Sequence, residues 1–133
     1  LEFGYNLSGA TYANKSFDVS AKEPAPRGLA FSVDGSSMYI VGSTNDRVYQ
    51  YSLSTDFDVT TAVYSTAKSV SAQASTPFEI RFSSDGYHMY VLCSTNNEIY
   101  QYDSTTAFNA NHADYELAFD PTANATDPFG LPI

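Results

Sequence analysis

The chain has 133 residues with 11 Tyr, 9 Phe and no Trp, and six basic against fifteen acidic side chains leave a net charge of -9. That charge argues against nucleic acid and against anionic membrane as partners, since both need a basic face, and the one cysteine, Cys93, excludes an intramolecular disulfide framework. No apolar run approaches the roughly 18 residues of a membrane-spanning helix, and Val, Thr and Tyr crowd the periodic segments while helix formers are scarce, which is a β composition.

The opening residues carry no secretory leader pattern. A start on Leu1 rather than Met fits a chain that is processed, cut from a longer one or preceded by further residues. Residues 4 to 8, GYNLS, match Tyr51-Ser52-Leu53-Ser54 and predict the last strand of a preceding unit. A strand is predicted around Ser16–Ser20, and Lys22–Ala25, beside Pro24 and Pro26, is a loop.

Leu29–Val33 is a predicted strand, and Asp34-Gly35 marks a tight turn. Met38–Val41 is a nearly continuous apolar run, the pattern of a strand covered on both faces. Ser43–Asp46 is a second turn. Val48–Leu53 follows, with Tyr49, Tyr51 and Leu53 on one face and Val48 and Gln50 on the other. After a polar loop at Ser54–Asp58, Ala62–Ala72 supplies a fourth strand. The order then recurs: Phe78–Phe82, a turn at Asp85-Gly86, Met89–Cys93, a turn at Thr95–Asn97, and Ile99–Tyr102.

Pro26–Tyr51 aligns with Pro77–Tyr102 without a gap, at a constant offset of 51 residues. Pro128-Phe129-Gly130-Leu131 again falls 51 residues after Pro77-Phe78-Glu79-Ile80. Such a period marks a stack, a propeller or an array. Four short antiparallel strands per repeat, apolar on both faces, predict an all-β fold of β-propeller blades, with a β-sandwich or a solenoid as alternatives. The predicted organisation is one propeller segment: full repeats at 26–76 and 77–127, and partial repeats at 1–25 and 128–133.

The pattern Pro-x-Gly-Leu-Ala-Phe-Ser-x-Asp-Gly-x-x-Met-Tyr, continued to Thr55, resembles the YVTN-type propeller repeats of bacterial and archaeal surface proteins. It is closer still to a longer variant found in marine bacteria and their phages, and the resemblance runs from about Tyr5 to Tyr115. It implies blades and leaves activity open, because propellers host unrelated functions. Two blades do not close a ring. The implied partners are therefore other copies of the chain or other blades of a longer one, as in small lectins that close a propeller by oligomerisation.

Candidate site residues lie in the turns. Asn45, Asp46, Asn96 and Asn97 occupy equivalent turns on one rim, and Tyr87 and His88 lie in the other class of turn. Amides beside aromatic rings suit sugar hydroxyls and C–H faces, although Asn and Asp are also ordinary turn formers. Asp34 and Asp85 each precede Gly as turn formers rather than as cation ligands. His88 and His112 are the only histidines and are not equivalent, so no metal site and no cofactor is predicted. Tyr49, Tyr51, Tyr100 and Tyr102 are expected between blades, and Cys93 is expected to pack as a small apolar residue. The sequons at Asn6, Asn14 and Asn124 are read as incidental.

Propeller lactonases resemble the chain in blade pattern, but that resemblance implies acidic and histidine metal ligands on the innermost strands. Those strands are expected at Ser16–Ala21 and Lys68–Ala72, where no such cluster occurs. The sequence thus predicts a non-enzymatic structural or adhesive module of an extracellular or virion assembly, with a secreted glycan-binding lectin of host surfaces as the alternative.

Overall fold

The structure, a computed structural model, describes residues 5–119. The expected start of a third repeat at Pro128–Leu131 lies outside the described residues. Eight strands form two antiparallel sheets of four, each in sequential order. The first holds β1 (Pro26–Phe31), β2 (Ser37–Gly42), β3 (Arg47–Leu53) and β4 (Ala62–Ser69). The second holds β5 (Pro77–Phe82), β6 (His88–Cys93), β7 (Glu98–Ser104) and β8 (Ala113–Phe119). The all-β reading and the two four-stranded propeller blades are therefore observed. The two copies share even their irregularities, with register shifts at Pro26/Gly28 and Pro77/Glu79, and again at Gln50/Tyr51 and Gln101/Tyr102.

The blades stack face to face. Ala30, Tyr39, Val41 and Val48 of the first meet Ile80, Met89, Val91, Tyr100 and Tyr102 of the second in one apolar cluster. The Tyr39 and Phe82 rings lie 4.3 Å apart between centroids. At about 1.5–3 kcal/mol per fully buried large apolar side chain, this seam is the main source of cohesion between the sheets. β1 and β5 are neighbours across the seam, whereas β4 and β8 close the opposite edge of each sheet. The innermost strands are therefore β1 and β5, and the expectation that placed Ser16–Ala21 and Lys68–Ala72 there is corrected. Lys68 lies on β4, at the far edge.

The N-terminal reading also changes. Residues 5–10 are not the end of a strand but a 3₁₀ turn, Leu7–Gly9, capped by Asn6. The same device joins β3 to β4 at Val59–Thr61, capped by Asp58, and β7 to β8 at Ala110–His112, capped by Asn109. Each cap is preceded by an aromatic residue at positive φ: Tyr5, Phe57 and Phe108. The segment after Leu7–Gly9 is thus the counterpart of β4 and β8. It forms no ladder among the described residues. Phe17 and Val19 instead lie against the outer face of the first blade, with Phe17 at 5.4 Å from Tyr51. β1 begins at Pro26 rather than near Leu29 and stops before Val33, because Ser32 already belongs to the turn: its carbonyl accepts from Gly35 at 2.9 Å.

Candidate functional site

The rim residues singled out from sequence divide between two ends of the blades. Asn45 and Asp46 form the turn between β2 and β3, and Asn96 and Asn97 the equivalent turn between β6 and β7. Asp46 and Asn97 take positive φ, 51° and 59°, the left-handed conformation that short polar side chains tolerate best after glycine. The Asn45 amide donates to the carbonyl of Lys22 at 2.9 Å, and the Asn96 amide donates to the Tyr100 hydroxyl. Tyr87 and His88 stand at the start of β6, at the opposite end of the strands. His88 Nδ1 faces Asp103 Oδ1 at 2.7 Å, and the same oxygen accepts from Gln101 Nε2 at 3.0 Å. These bonds, the Gln101 amide first, hold the Asp103 carboxyl below its ordinary value.

A different group of polar residues gathers on the innermost strands. Arg81 Nη1 on β5 reaches back across the seam to the carbonyl of Leu29 on β1 at 3.0 Å, and it also donates to Ile80 O at 2.8 Å. Glu79 Oε1 lies 2.8 Å from the same nitrogen and accepts from Ile80 N at 3.0 Å. Arg27 on β1 lies 5.8 Å from the Phe78 ring centroid. Arg81 and Glu79 are thereby fixed where β5 faces β1, and the Arg27 guanidinium lies over the Phe78 ring. The strands approach this closely because position 28 is glycine: a Cβ there would fall 2.8 Å from the Glu79 Cα.

A second polar feature lies where the N-terminal segment enters β1. Glu23 is fully buried, and its Oε1 accepts from Ala25 N at 2.9 Å and Thr44 N at 3.3 Å. Its Oε2 has no partner among the described residues. No group of three His, Cys, Asp or Glu side chains among the described residues is placed to hold a metal ion.

The sequence reading missed Arg27, Glu79, Arg81 and Glu23. A signal for two of them was available. Within repeats that otherwise match, Glu79 stands opposite Gly28 and Arg81 opposite Ala30. A charge where the sister repeat keeps a small residue marks a position that packing alone does not explain.

Solved structures bear the same fold. The chain is similar to a candidate 6-phosphogluconolactonase from Bacteroides uniformis ATCC 8492, with TM-score 0.58 and 15% identity over 85% of this chain and 32% of that one. It is also similar to the β-propeller domain of Cps50 (Swd1) from Myceliophteria thermophila, with TM-score 0.52 and 14% identity over 74% of this chain and 30% of that one. The chain thus spans about a third of the length of either. No curated protein matches it. The expectation of a non-enzymatic adhesion module, with a lectin as its alternative, is overturned by the family comparison. Residues 3–127 match the family model described as "Lactonase, 7-bladed beta-propeller", and the chain belongs to that family.

Proposed function

We propose that the chain is part of a propeller that hydrolyses lactones. The observation that carries this reading is the family match over residues 3–127. The charged group on the innermost strands supports it chemically. In lactone hydrolysis water adds to the ester carbonyl, the ring C–O bond breaks, and the ring oxygen takes up a proton to give a hydroxy acid. Negative charge builds on the carbonyl oxygen along the way, and fixed positive groups stabilise it best where they need no reorganisation. Arg81 is such a group, held by Glu79 and by two backbone carbonyls. Arg27 adds a second positive charge on the same inner wall.

By analogy with the name of the Bacteroides uniformis protein, a phosphorylated sugar lactone is the substrate class to test first. Arginine forks suit phosphate oxygens. The Ser-x-Asp-Gly-x-x-Met-Tyr core at Ser32–Tyr39 and Ser83–Tyr90 supports reading the blade pattern as YVTN-like within this family. The test is lactone loss followed at constant pH against the spontaneous rate, with 6-phosphogluconolactone and gluconolactone as substrates. We expect catalysed hydrolysis, with kcat/KM reduced about 10- to 100-fold by Arg81→Met. Rates equal to the spontaneous ones for every lactone tried would remove the proposal.

A further inference from the structure

The ladder between β1 and β2 pairs Pro26 with Gly42 and Gly28 with Val41, so Arg27 is an extra residue with no partner on β2. The ladder between β5 and β6 does the same at Phe78, between the pairs Pro77–Cys93 and Glu79–Leu92. A bulge of this kind takes one side chain out of the regular alternation of its strand and re-aims it. The two bulge residues are equivalent, 51 positions apart, and they meet across the seam, with the Arg27 guanidinium 5.8 Å from the centre of the Phe78 ring. The repeat thus keeps the backbone at this point and changes the side chain, from a cation in one blade to a ring in the next.

The surroundings of the basic side chains set Arg27 apart. Lys15 and Lys68 pair with Asp58 and Asp114, and Lys22 lies over the Tyr64 ring. Arg47 opens β3, which has a strand on either side within its own sheet. Arg81 is matched by Glu79, and its Nη1 also serves the carbonyls of Leu29 and Ile80. Arg27 is exposed and has no carboxylate partner among the described residues. In a chain of net charge -9, it is a positive charge on an innermost strand that no acid of these residues neutralises. The two arginines also stand at different levels. Arg27 is level with Phe78, whereas Arg81 is bonded at the level of Leu29 and Ile80, two residues further along each strand. At about 3.3 Å per residue that is roughly 7 Å.

We propose that Arg27 is the residue that selects a phosphorylated lactone, its guanidinium fork taking the phosphate while Arg81 serves the lactone carbonyl. This rests on the lactonase reading above and divides the work within it. A guanidinium gives two parallel N–H donors to two phosphate oxygens and stays charged at any working pH. Seated over an aromatic ring it is held without a carboxylate, so its charge is not spent on a partner of its own. A sugar lactone phosphorylated at its far end carries its carbonyl and its phosphate apart, as the two levels require.

The test uses the full-length protein that carries this chain, with Arg27→Gln, Arg27→Lys and, as a control for lost charge, Arg47→Gln. Binding of inorganic phosphate is measured by calorimetry at constant ionic strength. Hydrolysis of 6-phosphogluconolactone and gluconolactone is measured alongside. We expect Arg27→Gln to weaken phosphate binding about 10-fold or more and to cut the preference for the phosphorylated lactone by a similar factor, chiefly through KM. Arg27→Lys should recover part of both, and Arg47→Gln should bind phosphate as the parent does. Arg81→Met, by contrast, should slow both lactones alike. Catalysed hydrolysis with an unchanged preference in Arg27→Gln would overturn the assignment of Arg27 and leave the lactonase reading standing. If no lactone is hydrolysed, the lactonase reading fails, and the phosphate titration still judges Arg27. A parent that binds no phosphate at millimolar concentration, or an Arg47→Gln loss equal to that of Arg27→Gln, would overturn the site.

Discussion

Gly35 and Gly86 carry two demands at once. Their φ values, +76° and +78°, are ones that L side chains avoid, and a Cβ on either would meet the ring of Phe57 or Phe108 at 2.2 Å. The aromatic lid and the Asp-Gly turn are therefore one unit, tied by the bonds from Phe57 N to Gly35 O at 2.9 Å and from Phe108 N to Gly86 O at 2.8 Å. Gly35→Ala is expected to cost about 2 kcal/mol or more, by backbone strain plus displacement of the ring. Chemical denaturation should show a lower midpoint with an unchanged slope. Next to it, Asp34 caps its own turn. The Ser36 backbone N–H chiefly, then the hydroxyls of Ser36 and Ser32, hold its carboxyl down at about 2. Because the folded-state value lies below the unfolded one, the stabilisation is present above the ordinary carboxyl value of 3.8 and is lost as pH falls towards 2. Asp58, held at about 2 first by Lys15 and then by Thr60, acts in the same window. Acid unfolding followed between about pH 4 and 2 should lose part of its slope in Asp34→Asn, which cannot ionise. The Asp-Gly turns were legible in sequence, because Asp and Gly declare their turn chemistry locally. The phenylalanines that cover them were not, because the contact spans more than twenty residues.

At the scale of elements, the connection into β1 and the connection into β5 solve one packing problem with different residues. Glu23 fills the space beside Gly42, where a Cβ would meet the Glu23 Cγ and Cδ at 2.4 Å. In the second blade the equivalent positions are Ala74 and Cys93, so the bulk has moved from the connection to the strand. The backbone N–H that Glu23 satisfies at Thr44 is matched at Thr95 by the Thr76 hydroxyl, at 3.2 Å. Gly42→Ala should destabilise by about 1–3 kcal/mol through overpacking. On a Glu23→Ala background the cost should fall without vanishing, since the Ala25 carbonyl also lies 2.4 Å from that Cβ. A double-mutant cycle measures this coupling, and strict additivity would mean that the two sites relax independently. The misread N-terminal segment belongs to this scale too. GYNLS shares Tyr-x-Leu-Ser with the end of β3, yet Tyr5, Tyr12 and Val19 align with Phe57, Tyr64 and Val70. The hydrogen bonds bear out the second alignment. Lys22 N and Glu23 N both donate to Val19 O at 3.0 Å, as Gln73 N and Ala74 N donate to Val70 O at 3.0 and 2.7 Å.

For the molecule as a whole, the seam makes two sheets into one body. Tyr39 is fully buried between them, packs its ring against the tilted ring of Phe82 and bonds to Phe108 O, and burial pushes its phenol well above the ordinary value. Tyr39→Ala should therefore loosen both sheets and not only its own. Amide exchange is expected to quicken on β6 and β7 as well as on β2 and β3, and acceleration confined to the first sheet would show that the blades fold independently. The outer face of the first blade is covered only in part. Phe17, Val19, Pro26, Leu29, Met38, Ile40 and Val59 line an open apolar hollow of about 320 Å³. On the second blade, Ile80, Met89 and Val91 hold the positions of Leu29, Met38 and Ile40 and are fully covered by the first blade.

The number of strands per repeat, their antiparallel order, the positions of the turns and the two-faced burial of β2 and β6 are legible in the amino-acid sequence. Each of these depends on neighbours along the chain or on the 51-residue period, and both are visible in one dimension. Which strand of each blade is innermost follows from how the two sheets pack, because sheet order alone does not say which edge meets the next blade. That placement relocates the candidate chemistry. On the innermost strands Arg81 of β5 reaches the Leu29 carbonyl of β1, and Arg27 of β1 lies against the Phe78 ring of β5. The Glu79–Arg81 pair follows from two residues one apart on a single strand, whereas the reach of Arg81 to the Leu29 carbonyl depends on two sheets packed through Gly28, and no spacing along the chain encodes it.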